Sequence, residues 1–315
     1  MKLIIRVDDV GYTNVHNIGT YKTIEQGIAT AADVMLDTPG TEDALHQLKK
    51  YPWISVGWHS HFWGSPVLGK NEVPSLVAEN GHFRSDLTTA EDVSYQEALA
   101  ELRAQLDRCK SILGYTPKYR EFMYADNTPF GRAMADVTKE YEIATKYMKN
   151  EMTFMPPPNM KLPDGIEMPK PGAAPFLMGG EVDPRWVDRK IFYANLGGSA
   201  SMTDSIADAY AYDPLNDFMA GANKLLEHSD GRTYFSAWHP GYVDHYVMKE
   251  GDQGFNAKAF ILCRPVDVEA LCDPKFQEWI KENNVELVNF NDAIFGTDEY
   301  QTHLREIGSP LAVSR

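Results

Sequence analysis

A short apolar, β-branched run at residues 3–7 meets two adjacent acids, Asp8 and Asp9, and then Gly11. A run of this kind is typical of a buried parallel strand that ends in a loop. The same alternation of apolar runs and helical patterns continues along the chain. Further strands are predicted at residues 31–36, 54–57, 119–124, 190–196, 233–238 and 285–290, and helices at residues 14–28, 41–50, 95–113 and 204–228.

This alternation predicts an α/β fold with a parallel sheet, and the favoured architecture is a (β/α) barrel. The length of 315 residues would permit two domains, but barrels of about 250 residues routinely fold as one unit. We therefore expect a single domain over residues 1–315. A Pro- and Gly-rich stretch at about 155–185 is interpreted as a long irregular excursion at the active-site face, because strand patterns resume after it.

Chemically reactive side chains directly follow three of the predicted strands. They are Asp8 with Asp9, His59 with His61, and His239. In a parallel barrel the C-terminal ends of the strands share one face, where catalytic groups collect. We therefore expect these residues to meet at one site.

The acid pair and the His-x-His segment each permit a catalytic and a structural interpretation. Adjacent carboxylates on a strand point in opposite directions, so Asp8 and Asp9 could serve a metal and a water molecule, or merely cap the next helix. His59 and His61 lie on the same side of an extended chain and could meet one ion. Imidazole with carboxylate suits zinc or a related transition metal, whereas a local hydrogen bond is the alternative for either histidine.

Aromatic and turn residues next to these segments add further candidates. Trp58 and Trp63 could stack on a sugar ring, although burial in the core is the commoner fate of Trp. His239 precedes a Pro-Gly turn, which suits a positioned general acid or base, or a turn histidine that the backbone satisfies. His16 and Asn17 lie on the first predicted helix, where a surface role is favoured.

Composition excludes several classes of partner. The net charge of −15 disfavours nucleic acid, because phosphate binding needs clustered Lys and Arg. Three cysteines without a CxxC pair argue against a disulfide framework and fit a reducing compartment. The N-terminus becomes charged too soon for a signal peptide, and no apolar run approaches the ~20 residues of a membrane span. We expect a cytoplasmic protein without a membrane partner.

Six segments carry a resemblance to a known family, and their order and spacing make a chance match improbable. They are Val7-Asp8-Asp9-Val10-Gly11, Val56-Gly57-Trp58-His59, Gly64-Ser65-Pro66-Val67-Leu68, Val73-Pro74-Ser75-Leu76-Val77, Asn80-Gly81-His82-Phe83 and His239-Pro240-Gly241-Tyr242. The chain resembles the YdjC-like carbohydrate deacetylases, which include chitooligosaccharide deacetylases. The resemblance runs through most of the chain and is densest in residues 1–90 and 233–290.

The resemblance implies a distorted (β/α) barrel, a divalent metal ion, either Zn or Mg, and an acylated amino sugar as the small-molecule substrate. It implies that Asp8 is the general base that activates water, and that Asp9 and His59 are metal ligands. His239 would then protonate the leaving amine. The chemistry is consistent, because a metal polarises the amide carbonyl while a flanking acid and base handle the proton transfers.

One segment departs from the family pattern. Relatives carry a His-rich segment after Leu-Gly-x-x-Pro, and one of its histidines completes the metal site. Here Tyr-Arg-Glu-Phe-Met-Tyr follows at residues 119–124 instead, whereas His61 is an addition. Either His61 or Glu121 completes an altered metal site, which we favour, or the site is weakened and the substrate or reaction has changed.

The remaining substrate-binding candidates are Arg120 and Tyr242. Arg120 could hold a carboxylate or phosphate, although pairing with Glu121 or Asp126 is the favoured structural role. Three functions remain open: N-deacetylation of an amino sugar or short oligosaccharide, hydrolysis of another acylated or cyclic amide, and carbohydrate binding with catalysis lost. A homo-oligomer is compatible with the sequence, which does not specify the oligomeric state.

Overall fold

The computed structural model describes residues 1–120, 127–145, 151–152, 176–177, 191–194, 206–226, 232–249 and 257–314. The strands are β1 (Lys2–Val10), β2 (Ala31–Val34), β3 (Ser55–Trp58), β4 (Glu151–Met152), β5 (Phe176–Leu177), β6 (Ile191–Tyr193), β7 (Thr233–Trp238) and β8 (Glu286–Leu287). The helices are α1 (Asn14–Glu25), α2 (Thr41–Leu48), α3 (Tyr95–Leu113), α4 (Pro129–Glu140), α5 (Ile206–Tyr210), α6 (Pro214–Leu226), α7 (His245–Met248), α8 (Ala257–Cys272), α9 (Pro274–Glu282), α10 (Phe290–Phe295) and α11 (Glu299–Glu306), with a 3-10 turn at Pro74–Leu76.

The main sheet is parallel, with β1 at its centre. Its strand order is β3-β2-β1-β7-β6, and β8 pairs with the first residues of β1. Single parallel bridges extend the sheet beyond β3 to Tyr119 and then to Ala144. Helices flank this sheet, so the α/β class is confirmed. Apart from Lys2, β1 is buried along its whole length, as a parallel strand covered on both faces must be.

The predicted elements agree best with the structure where local signals are strong. Residues 95–113 form α3, which begins after the Ser94 cap and ends at Gly114 with φ 99°. The helix predicted at 204–228 is two helices, because Pro214 starts α6 and cannot continue a helix before it. Most of the excursion predicted at 155–185 lies outside the described residues, as do residues 121–126.

The two faces of the sheet have different chemistry. One face packs on the helices and carries Val56, Trp58 and Trp238 in the main hydrophobic core. The opposite face holds a smaller apolar cluster around Ile4 and Phe235 near the start of the strands. Further along the same face the side chains become charged, which places a polar site above an apolar floor.

Gly57 lies on β3 beside this site. A Cβ atom at Gly57 would overlap the Asp33 carboxylate and the Tyr119 ring, so only glycine leaves room for both at this point of β3.

Within the part of the chain that the structure describes, no helix combines the length and the apolarity that crossing a membrane requires.

The loop after β3 is held to the end of β2 by Asp37. The Asp37 carboxylate accepts the backbone N–H of Gly64 at 2.6 Å, and its carbonyl accepts that of Ser65 at 2.9 Å. Burial raises the pKa of Asp37 to about 6, above its ordinary value of 3.8. Asp37 thereby fixes the return of the loop that carries His61 and Trp63.

Folding therefore takes up a proton at Asp37 between about pH 4 and pH 6, and the free energy of unfolding should fall as pH rises through this window. Asp37→Asn keeps an acceptor for Gly64 and should reduce the fall between pH 4 and pH 8 by about 2–3 kcal/mol. Urea unfolding at both pH values measures this, with the exposed Glu72→Gln as control. An unchanged pH dependence in Asp37→Asn would contradict the assignment.

Candidate active site

The two acids of β1 lie in a β-bulge. The register between β1 and β2 shifts by one residue at this point, so that Asp8 and Asp9 together face Asp33. Asp9 has φ 57°, a left-handed conformation that Asp tolerates better than most residues. The simple strand alternation expected from the sequence does not hold here, because the extra residue turns Asp9 so that both carboxylates approach His59.

Asp9 is contacted on both of its carboxylate oxygens. Its Oδ1 lies 2.9 Å from His59 Nε2 and 3.9 Å from His61 Nε2. Its Oδ2 accepts a hydrogen bond of 2.7 Å from Arg264 Nη2. One oxygen therefore faces the two imidazoles, while the other is taken by a guanidinium.

The charge states of Asp9 and His61 suit cation binding. At His59 burial would lower the pKa, but the carboxylates of Asp9, Asp8 and Asp33 outweigh it and raise the pKa, so that a cation would compete with a proton there. Burial by itself would raise the pKa of Asp9, but Arg264 and then His59 outweigh it and hold the pKa well below its ordinary value. Burial, followed by the neighbouring His59, holds the pKa of His61 well below its ordinary value. Asp9 is therefore a carboxylate and His61 a neutral imidazole with a lone pair to offer.

The donor set fits a divalent metal ion. One ligand atom from each of Asp9, His59 and His61 lies within 4.8 Å of the other two. A carboxylate oxygen with two imidazole nitrogens is the set that zinc and related transition metals take, with a further position left for water or substrate. Glu121, the alternative ligand predicted from the sequence, lies outside the described residues.

Asp8 is oriented by a residue that the sequence reasoning missed. Arg6 binds both of its oxygens, through Nε at 2.7 Å and Nη2 at 2.8 Å. The Arg6 guanidinium lies 5.0 Å above the ring centroid of Phe235, and the residue is 2% exposed. Such a bidentate pair fixes the plane of the carboxylate. The only signal in the sequence is an arginine within an apolar strand.

Asp33 is a second missed residue, and it lies behind His59. Its Oδ2 is 4.0 Å from His59 Nδ1 and 3.6 Å from Arg6 Nη1. Burial raises the pKa of Asp33 to about 7 despite the opposing effect of Arg6. A metal-binding histidine commonly has a carboxylate or carbonyl at its other nitrogen, and Asp33 stands at that place.

His239 faces Asp8 from the end of β7. Its Nε2 lies 3.8 Å from Asp8 Oδ2, and its side chain is partly exposed, with 17% accessible. The backbone N–H of His239 donates to Asp267 Oδ2 at 2.9 Å, and Tyr212 donates its hydroxyl to the other oxygen of Asp267 at 2.7 Å. The structure thus brings Asp8 and His239 together next to the cluster of Asp9, His59 and His61.

The aromatic candidates separate into a core residue and a residue of the site. Trp58 is 1% exposed and packs in the main core with Phe62. The suggestion that Trp58 stacks on a substrate is therefore wrong, because its side of β3 faces the helices. Trp63 is half-buried and stacks on His61, with ring centroids 4.1 Å apart and planes within 8°.

The other substrate-binding candidates stay predictions. Arg120 is buried where Tyr119 continues the sheet, and its backbone N–H donates to Ala144 at 2.9 Å. Tyr242 is partly exposed in the turn that follows His239.

His16 and Asn17 do not have the surface role expected of them, since both are fully buried. His16 Nε2 lies 3.1 Å from Arg264 Nη1, and burial, followed by Arg264, lowers the pKa of His16 to about 3. Asn17 accepts from the Gly11 N–H at 2.8 Å and donates to the Gly40 carbonyl at 2.9 Å. Both residues support the loops around the site.

Acids and imidazoles gather at the carboxyl ends of the parallel strands, which is where α/β proteins place their ligand-binding and catalytic groups. The profile of the YdjC-like protein family matches residues 2–282. The chain therefore belongs to the YdjC-like family.

Relatives and a solved structure agree with this assignment over nearly the whole chain. Carbohydrate deacetylase 2 of Listeria innocua is 24% identical over 297 residues, which cover 93% of this chain and 98% of that protein. The carbohydrate deacetylase of Clostridium beijerinckii is 22% identical over 93% of this chain and all of that protein. A crystal structure described as a cellobiose-phosphate cleavage protein of Enterococcus faecalis is 18% identical, with TM-score 0.59 and coverage of 92% and 98%, and supports the fold.

The close approach of Gly241 to His16 generates a prediction about the turn after His239. A Cβ atom at Gly241 would overlap the His16 ring, so Gly241→Ala should lower the free energy of unfolding by about 1–3 kcal/mol. His16→Ala removes the ring that causes the overlap, so the double variant should be more stable than the two single losses predict. Urea unfolding of the four proteins measures the coupling. Strictly additive losses would show that the two residues do not press on each other.

Proposed function

We propose that the protein is a divalent-metal-dependent hydrolase that removes the acetyl group from an N-acetylated amino sugar or short oligosaccharide. The observation that carries this proposal is that a pair of proton-transfer groups and a candidate metal-binding cluster lie side by side at the carboxyl ends of the strands. Asp8 and His239 form a pair of proton-transfer groups with 3.8 Å between them. The Asp9, His59 and His61 cluster lies directly beside this pair.

Asp9, His59 and His61 would hold the cation. Zinc suits two imidazoles and one carboxylate better than magnesium, which prefers oxygen ligands and keeps several waters. When bound, a divalent ion would polarise the substrate carbonyl and make water more acidic. His61 then takes the place that the missing His-rich segment leaves in the family pattern.

Asp8 would take the proton of the attacking water. Arg6 holds the Asp8 carboxylate in a fixed plane for this transfer. The amide C–N bond then breaks, and His239 would give a proton to the leaving amine. A base and an acid within one site serve the two proton transfers of amide hydrolysis. Asp8 and His239 would thus act as separate base and acid within one site, 3.8 Å apart.

A carbohydrate substrate is supported by two observations. Full-length relatives carry the name carbohydrate deacetylase. Next to the Asp9, His59 and His61 cluster, Trp63 is half-buried and stacks on His61, with ring centroids 4.1 Å apart. An aromatic face beside a polar site suits the apolar side of a sugar ring, since aromatic residues offer large apolar area with little entropy to lose.

Metal content and turnover of single variants test the machinery. The wild type should hold about one divalent ion per chain and release acetate from one or more N-acetylated sugars. Asp9→Asn and His59→Gln should lose the ion and the activity, and His61→Gln should bind it more weakly. Asp8→Asn should keep the ion yet lose turnover by a factor of about 10²–10⁴, because only the proton transfer is removed.

Elemental analysis and acetate assays on the same preparations separate the possibilities. A metal-free wild type with unaltered turnover in Asp9→Asn would contradict the hydrolase mechanism. Metal-dependent hydrolysis of other amides without acetate from any sugar would keep the mechanism and refute the substrate class.

The aromatic residue beside the cluster gives a separate test of sugar binding. Trp63→Ala should raise KM by roughly fivefold with kcat changed far less, because a stacking contact of about 1 kcal/mol is lost from substrate binding. Trp63→Phe should lie between this variant and the wild type. Trp53→Phe, which alters a tryptophan stacked on His303, serves as the control. An unchanged KM in Trp63→Ala, at full metal content, would remove Trp63 from the binding site.

A further inference from the structure

Helix α8 brings two charged residues into the site that the proposed mechanism does not use. Arg264 and Asp267 are one turn apart, and both are fully buried. The helix is otherwise rich in apolar residues and contains Pro265 between them. Charged side chains are rarely this buried unless each is paired, so the partners of these two residues indicate what they do.

Arg264 forms a hydrogen bond with one carboxylate oxygen of Asp9, Oδ2. Its Nη2 donates to Asp9 Oδ2 at 2.7 Å, and its Nη1 lies 3.1 Å from His16 Nε2. The guanidinium carbon is 5.7 Å from the centroid of the Tyr12 ring. With Oδ2 taken, Asp9 has only Oδ1 to offer to a cation beside His59 and His61. Arg264 therefore determines how Asp9 can act as a ligand.

Asp267 holds the turn that carries His239. Its Oδ2 accepts the backbone N–H of His239 at 2.9 Å, and its Oδ1 accepts the Tyr212 hydroxyl at 2.7 Å. Two residues further on, the Gly241 N–H donates to the carbonyl of Arg264 at 3.4 Å. The same turn of α8 thus fixes the backbone on both sides of Pro240.

We propose that Arg264 and Asp267 are positioning residues that tie the cation-binding carboxylate of Asp9 and the proposed acid His239 to one helix. This inference rests on the proposed function. Asp9 lies in a bulge and His239 lies just beyond a strand, so the sheet alone constrains neither side chain fully. A shared rigid support matters because catalytic groups have to be held within about 0.5 Å of the productive geometry.

Cobalt(II) binding tests the role of Arg264 without relying on turnover. In Arg264→Gln, Asp9 should be free to offer both oxygens, so the coordination number should rise and the visible absorption of the Co²⁺-loaded protein should weaken and shift. Arg264→Lys keeps a charged donor but not the planar fork, so its spectrum should lie between the two. The kcat of Arg264→Gln should fall at least 100-fold, with a smaller loss in Arg264→Lys.

Glu269→Gln is the matched control for this test. Glu269 lies on the same helix and pairs with Lys22 at the surface, so its variant should retain the wild-type cobalt spectrum. A wild-type spectrum and wild-type kcat in Arg264→Gln would overturn the role assigned to Arg264.

A rescue experiment tests Asp267. Asp267→Asn keeps an acceptor for the His239 N–H and a group that can donate to the Tyr212 oxygen, whereas Asp267→Ala keeps neither. The kcat of Asp267→Ala should fall about 100-fold with KM within a factor of three, and Asp267→Asn should recover at least tenfold of this loss. The cobalt spectrum of both variants should stay that of the wild type, because Asp267 positions His239 and not a residue of the Asp9, His59 and His61 cluster.

Tyr212→Phe keeps this part of the inference falsifiable if Asp267→Ala does not fold. It removes one hydroxyl from Asp267 and should lower kcat several-fold without changing KM. Equal kcat in Asp267→Ala and Asp267→Asn, or an unchanged kcat in Tyr212→Phe, would overturn the role of Asp267. A wild type that binds no cobalt and hydrolyses no amide would overturn the proposed function, whereas an active wild type with unchanged variants would overturn only this inference.

Discussion

Three carboxylates, those of Asp8, Asp9 and Asp33, are buried side by side at one edge of the sheet, and their repulsion has to be balanced by positive charge. At an effective dielectric constant near 20, two unit charges ~4 Å apart interact by about 4 kcal/mol, which is a large part of the net stability of a domain. Arg6 and Arg264 balance two of the three charges. The third charge is removed when Asp33, whose pKa burial raises to about 7, takes up a proton, and a divalent cation can offset it instead.

This balance connects the fold with the proposed chemistry. The apolar floor around Ile4 and Phe235 excludes water below the acids, so each ion pair is strong and its geometry is well defined. The bulge at Asp8 and Asp9 turns two consecutive side chains toward His59. Arg264 reaches Asp9 from α8. The ion pair between them therefore also holds this helix against the sheet.

Much of the site could be predicted from the sequence because its residues follow strands. Apolar runs that stop at Asp8, His59 and His239 indicate the carboxyl ends of parallel strands, and these ends share one edge. The partners could not be predicted, because local periodicity carries no information about pairing over long separations. Arg264 lies 255 residues from the carboxylate that it contacts. For a related reason the sequence left Trp58 between a substrate contact and the core, since a motif does not show which side of a strand faces the core.

Anomalous diffraction from crystals grown with zinc tests the central claim most directly, because it shows where a cation binds without requiring knowledge of the substrate. We expect one strong peak ~2.0–2.2 Å from ligand atoms of Asp9, His59 and His61, with Asp9 Oδ2 still bonded to Arg264. A peak bound by other residues, or no peak at the Asp9 cluster under zinc concentrations that saturate the protein, would contradict the account.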